Sequence, residues 1–248
     1  MEPHFLATNP LLTRRLGLSN ILLYAGPYTL TKPHSEANTW IGSVVGAVPP
    51  LIGWAGATAG DLAAADPLFL AAILYLWQFP HFFALSWLHR EDYARGNFQM
   101  VAVNDPIGQR SADLIFRYAV YLSTVPVISS MAGVTSYMFA VEGCILNGYL
   151  LFLSHRFAND HSNQSARKVF LATLWYLPLL LAGFVYHNHN WDKLDEHVRS
   201  SSVCYLTTHL HQGIMLLMNT GRTRIPSSQG LSQEPMSSRM AHPQPKGQ

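Results

Sequence analysis

Six apolar stretches, at about 15–30, 38–57, 67–88, 113–133, 136–154 and 168–186, divide the chain. A bilayer core takes roughly 20 apolar residues as a helix, and the first stretch meets that length only marginally. In lipid a segment must satisfy its own backbone, and helix is the open-ended element that does so. The expected fold is therefore all-α, a polytopic transmembrane helical bundle. Composition agrees, since only 12% of residues are charged, against about 25% in soluble domains. A net charge of +2 leaves no electrostatic footprint for nucleic acid. Cys144 and Cys204 make neither a disulfide framework nor a CxxC pair.

The polar breaks carry an orientation. If the six spans alternate sides, loops 31–37, 89–112 and 155–167 share one face. That face holds Lys32, Arg90, Arg95, Arg110, Arg156 and Arg167, whereas loops 58–66 and 134–135 contain no Lys or Arg. The positive-inside rule then turns the basic face toward the cytoplasm or the mitochondrial matrix. Arg14 and Arg15 break the pattern at the N-terminal edge. No cleavable leader is evident in "MEPHFLATNPLLTRRLG", and any import signal is expected upstream of it. Beyond about residue 187 the chain turns polar, and its Ser-, Gln- and Pro-rich end is expected to be disordered. His187, His189, His197, His209 and His211 lack a compact metal-ligand spacing.

The segment "WQFPHFFALSWLHREDYARG" (77–96) concentrates the candidate chemistry. Gln78, His81, Leu85, His89 and Asp92 recur at helical steps, and would form a polar stripe descending to the basic face. Pro80 is expected to bend that helix. In "REDYARG" (90–96), Glu91 and Asp92 suit a hard divalent cation. Arg90 and Arg95 suit an anion such as phosphate. A solvated helix end with internal ion pairs has the same composition. Lys32 stands on the same face, just before Asn38 opens the next span. Glu142 and Asn147 lie inside the fifth span, where an Asn commonly bonds to a neighbouring helix.

"ANTWIGSVVGAVPPLIGW" (37–54) and "LYLWQFPHFFALSWLHREDYARGNFQM" (74–100) resemble the heme-modifying branch of the UbiA superfamily of intramembrane prenyltransferases. "YTLTK" (28–32), "NGYLLFLSHRF" (147–157) and "RKVFLATLWYLPLL" (167–180) extend the resemblance from about Gly17 to Tyr186. It implies a bundle of nine helices, about six of them here, around a cavity open to the matrix of the mitochondrial inner membrane. It implies farnesyl transfer from farnesyl diphosphate to a vinyl group of protoheme IX, giving heme O. Mg²⁺ held by two acidic motifs is the implied cofactor. Carried over by position, Asp92, Arg90 and His81 are the expected catalytic residues, and Asp92 and Glu91 the expected metal contacts. Lys32, Asn38, Gln78, Tyr93 and Asn147 are the expected substrate contacts. Trp77, Phe79, Phe82 and Phe83 would line the cavity.

Two departures stand out. The family's first acidic motif has no counterpart here, so the chain is expected to be a truncated form that does not make heme O alone. Lys32 is followed by Pro33 where a second basic residue is usual. The alternatives are a non-enzymatic membrane subunit that handles heme for cytochrome oxidase, prenylation of a quinone precursor, and a transporter. Homo-oligomers or other heme A pathway enzymes are the expected partners besides lipid and substrates.

Overall fold

The computed structural model describes residues 10–58 and 60–188, all within the first of two compact units, Met1–Ser202. The sequence expectations for the tail beyond residue 188 lie outside these residues. Helix α1 (Pro10–Leu23) runs into a π-helical stretch, Tyr24–Tyr28, and a short helical turn, α2 (Thr29–Thr31). Then follow α3 (Asn38–Ala57), α4 (Ala65–Leu88), α5 (Arg90–Arg95), α6 (Gln109–Met131), α7 (Tyr137–Asp160) and α8 (Asn163–Tyr186). Five of these, α3, α4, α6, α7 and α8, are long and apolar enough to cross a membrane. No β-strand occurs among the described residues.

The expected first span, 15–30, is helical but not one regular helix. Pro27 lies inside the π stretch. A proline supplies no N–H to the i→i−4 ladder, and widening to a π turn is one local response. Prolines also interrupt α3, α4, α6 and α8, which bundled membrane helices tolerate because neighbours and side-chain hydroxyls satisfy freed carbonyls. In α6 the hydroxyls of Ser129 and Ser130 both turn back to donate to the Pro126 carbonyl, so these two polar groups are satisfied within their own helix.

Helix α4 is the hub, packing against α3, α6 and α8. Its face bearing Phe79, Phe83 and Trp87 is buried. Phe79 stacks on Tyr118 of α6 at 3.7 Å between centroids, and Trp40 Nε1 of α3 donates to Tyr118 Oη at 2.7 Å. Helices α6 and α7 approach closely because Gly143 faces Pro126, where a Cβ would stand 2.5 Å from the proline ring. Lipid is as apolar as leucine, so such packing and interhelical hydrogen bonds hold helices together, rather than escape from water.

The two ends of the bundle differ as the loop charges anticipate. At one end Gln99 N donates to the Lys32 carbonyl, Asn104 Nδ2 to Glu36, and Arg110 pairs with Glu36 at 2.6 Å. Arg90 there reaches Asn163 at the start of α8. Loops 31–37 and 89–112 and the α7–α8 turn therefore meet. At the other end Thr135 bridges Asn188, Asn188 Nδ2 donates to Asp66, and His187 Nε2 lies 3.2 Å from Glu142.

Candidate functional site at the basic end

The break in α4 corrects the continuous stripe expected down to Asp92. His89 has non-helical torsions and ends α4, and "REDYAR" forms the separate short helix α5. Within α4 the stripe survives as the less buried face, carrying Gln78, His81, Phe82 and Leu85 opposite the Phe79–Trp87 core. Its members then diverge. Gln78 turns toward α3, where Nε2 donates to the Ser43 carbonyl at 3.2 Å and to the Leu74 carbonyl of its own helix. His81 turns toward α8, with Nδ1 2.8 Å from Thr173 Oγ1, between the rings of Trp77 and Phe170.

On the α3 side lies a pocket of about 180 Å³. Tyr24, Tyr28 and Phe82 supply its aromatic walls, and Thr39, Gly42, Ser43 and Gly46 its small-residue wall. Two glycines make it possible. A Cβ at Gly42 would meet the Tyr28 ring at 2.7 Å, and one at Gly46 would meet Gln78 Oε1 at 2.3 Å. Asn38 marks the basic end of the pocket and Gly46 lies eight residues deeper, about 12 Å along a helix. The Lys32 ammonium sits 4.4 Å above the Tyr28 ring and 5.9 Å from that of Tyr24. A cation thus stands at the mouth of an aromatic, apolar slot. That arrangement suits a ligand with an anionic head and an apolar body.

Asn38, expected as a substrate contact, is 2% exposed. Its Nδ2 donates to the Ser35 carbonyl at 2.7 Å and the Gln99 carbonyl at 2.6 Å. Both amide protons are thereby spent on tying loop 96–108 to the start of α3, and Asn38 lines the pocket as part of its frame. Asn147 stands apart from the pocket. It is buried between α7 and α8, donating to the Gly143 carbonyl and accepting from Tyr176 Oη at 2.8 Å.

The "REDYARG" residues also part company. Arg90 turns to the bundle. Its Nη1 donates to the Trp87 carbonyl and to Asn163 Oδ1, and its guanidinium lies 4.5 Å from the Trp87 ring centre. Arg95, rather than Arg90, is the partner of Asp92, and His89 Nδ1 lies 3.4 Å from the same carboxylate. Hydrogen bonds from Arg95, with a second from His89, hold Asp92 below the usual carboxylate range. Tyr93 packs edge-on to Phe98, and burial pushes its phenol above the usual range. Glu91 is exposed. Among the described residues no three His, Cys, Asp or Glu side chains come together as a metal site. The two adjacent acids of α5 therefore do not fit a complete Mg²⁺ site by themselves.

Tyr24, Tyr28, Thr39 and Ser43 were not among the expected contacts. The spacing of Gly42 and Gly46, four residues apart with Thr39 and Ser43 on adjoining positions, is the signal for them. It marks a face of α3 built for close approach.

A family model described as the UbiA prenyltransferase family matches residues 5–187. Among curated relatives, the human protein named protoheme IX farnesyltransferase, mitochondrial, is 46% identical over 71% of this chain and 39% of its own length. Proteins of that name from Arabidopsis thaliana and Yarrowia lipolytica are 39% and 36% identical, over 75% and 72% of this chain and 43% and 41% of their own lengths. The chain thus spans about two fifths of the relatives it matches. No solved structure matches. The match to the family model across all five membrane-length helices, with the relatives' identity over the same region, places the chain in the UbiA prenyltransferase family.

Proposed function

We propose that this chain acts in farnesyl transfer from farnesyl diphosphate to a vinyl group of protoheme IX, with water adding to the side-chain cation left by C–C bond formation and losing a proton, giving heme O and diphosphate. The observation that carries the reading is Lys32 over Tyr28 at the mouth of the aromatic pocket. The ammonium offsets charge as the diphosphate leaves with the electron pair of the allylic C–O bond. The faces of Tyr24, Tyr28 and Phe82 border the path of the farnesyl cation. Gly42 and Gly46 let Tyr28 and Gln78 close onto α3 and so set the walls of that path. Asp92 orients the neighbouring Arg95 cation and the His89 ring on the same face.

Members of this family generally use a divalent metal, and Mg²⁺ is the ion proposed here. Asp92 and Glu91 are the carboxylates that α5 offers it, too small a donor set to carry a step alone. The proposed location is the mitochondrial inner membrane with the basic loops toward the matrix. A second copy of the chain, or enzymes of the heme A pathway, are proposed neighbours in that membrane. A second reading, heme handling without prenyl transfer, is favoured by one feature: the Asp92 carboxylate is already engaged by Arg95.

The test is heme O formation in membranes carrying the chain, alone and co-expressed with the N-terminal part of the human relative. Farnesyl diphosphate, protoheme IX and MgCl₂ are supplied, and heme O is measured by chromatography and mass. Heme O in the co-expressed membranes, lost with Lys32→Ala at unchanged protein level, supports the enzyme. Protoheme retention without heme O supports the second reading, and neither overturns both.

A further inference from the structure

The pocket on the α3 side has a deep end as well as a mouth. Trp40 of α3 meets Phe83 of α4, and Gly46 meets Gln78, so the two helices run antiparallel. Going inward from Asn38, residue numbers therefore rise along α3 and fall along α4. Phe82 lies nearer the mouth. Gln78, one turn further on, lies level with Gly46 at the deep end.

At that depth one side chain spans the helix pair. Gln78 Nε2 donates to the Ser43 carbonyl of α3 at 3.2 Å and to the Leu74 carbonyl of its own helix at 3.0 Å. Its Oε1 lies against the α3 backbone, where a Cβ at Gly46 would stand 2.3 Å away. Gly46 thus lets the carboxamide lie flush on α3, and the two hydrogen bonds hold it there. An apolar chain pushed past it would break those bonds and offer no acceptor in exchange, leaving the amide unpaired in apolar surroundings.

The depth selects a length. The eight residues from Asn38 to Gly46 rise about 12 Å along a helix. Single C–C bonds near 1.5 Å advance an extended chain by about 1.25 Å each. The twelve-atom backbone of a farnesyl chain is then about 14 Å long, and it reaches the carboxamide with its first carbons at the Lys32 mouth. The eight-atom backbone of a geranyl chain, about 9 Å, stops short of it, and the sixteen-atom backbone of a geranylgeranyl chain, about 19 Å, overruns it.

We propose that Gln78 is the depth stop that fits this pocket to a chain of three isoprene units, and that Gly46 is the residue that seats it. This role rests on the reading of the pocket as the prenyl path, and adds to it the chain length that the path accepts. Gln78 acts on which substrate enters, not on the departure of diphosphate, since it stands at the far end of the pocket from Lys32.

The test uses the full chain in lipid nanodiscs with MgCl₂, titrated with the unreactive thiolodiphosphates of geranyl, farnesyl and geranylgeranyl chains. Calorimetry gives each Kd, with uptake by empty nanodiscs subtracted. The wild-type chain is expected to bind the farnesyl compound about tenfold tighter than the geranylgeranyl one, the loss that goes with amide hydrogen bonds left unmade. Gln78→Ala should bring the two to near equality. Gln78→Met keeps the length of the side chain but has no amide to tie, so its preference should fall between. The geranyl compound, which stops short of position 78, should bind wild type and both variants alike, a result that damage to the fold would not give. Circular dichroism checks folding, and if Gln78→Ala fails it, Gln78→Met decides. An unchanged farnesyl preference in the folded variants, or equal affinity of wild type for the two longer chains, would overturn the depth stop. If Lys32→Ala still weakens all three chains in that case, the pocket reading stands without it. Binding of no chain by wild type, or binding indifferent to Lys32, would remove the pocket reading and the depth stop together.

Discussion

Asp92 and Asn38 show how one residue's task is set by partners distant from it or beside it. Asp92 keeps its charge because Arg95 and His89 bond the ionised form. Its folded pKa is depressed, so whatever that charge supports is present above the ordinary carboxylate pKa. It is lost as pH falls through the lowered value. Binding of inorganic diphosphate that depends on Asp92 should therefore persist into acid that protonates exposed carboxylates. A pH series comparing wild type with Asp92→Asn checks this, and identical profiles would remove Asp92 from the site. Asn38 makes a different prediction. Replacing it by Leu leaves the Gln99 and Ser35 carbonyls without their donor, at about 1–3 kcal/mol. Thermal unfolding in detergent should show the loss, with Asn38→Ala no milder. The Asn38–Gln99 bond joins residues 61 apart, and Arg90–Asn163 joins residues 73 apart. Neither pairing is legible in one sequence. Local spacing names the polar residue but not the carbonyl that will consume it.

Elements show the same division. Membrane-length helices are readable because lipid imposes a one-dimensional rule on every span, and α3 and α4 fall near their expected positions, while α8 begins five residues early at Asn163. Helix α6 starts at Gln109, ahead of the expected 113, because Asp105 acts as a remote cap. Its carboxylate accepts from Gly108 N at 3.0 Å and Ser111 N at 2.7 Å. Gly108 makes that turn with φ +91°, against the Trp87 ring. Gly108→Ala would meet both a strained torsion and a ring carbon at 2.7 Å. It should unfold at lower temperature than wild type, by an amount corresponding to about 1–3 kcal/mol. Gly143→Ala should loosen the α6–α7 pair by a similar amount, because the Pro126 ring has no rotamer in which to retreat. A thermal melt of each variant in the same micelle measures both, and unchanged melts would mean that the helices shift at no cost.

At the scale of the whole molecule, the inter-helix loops sort their charges by end, with Arg14 and Arg15 of α1 the exception, beside the Gly56 end of α3. Lys32, Arg90 and Arg110 meet at one end through Glu36, Gln99 and Asn163. Asp66 and Glu142 lie at the other with Asn188 and His187. Single cysteines placed in loop 58–66 and in loop 89–112 should therefore react with an impermeant thiol reagent from opposite sides of the membrane, in a background with Cys144 and Cys204 replaced. Labelling of both from one side would defeat the topology.

The sequence by itself determined the class of fold, five of the six expected spans and the family, because hydropathy over about 20 residues answers to lipid alone and the motifs are contiguous. It also determined which end is basic, since loop charge is read in order along the chain. Only the tertiary structure decided which polar side chains face the pocket and which are spent on holding it. Asn38 and Arg90 had donors of the right kind, and packing delivered a carbonyl or an amide oxygen to each, while the Asn147 amide oxygen accepts from the Tyr176 hydroxyl. His81 and Gln78, three residues apart on one helix, were sent to different neighbours because α3 and α8 flank α4 on opposite sides. Such partners are fixed by which helices touch, and that is a property of three dimensions.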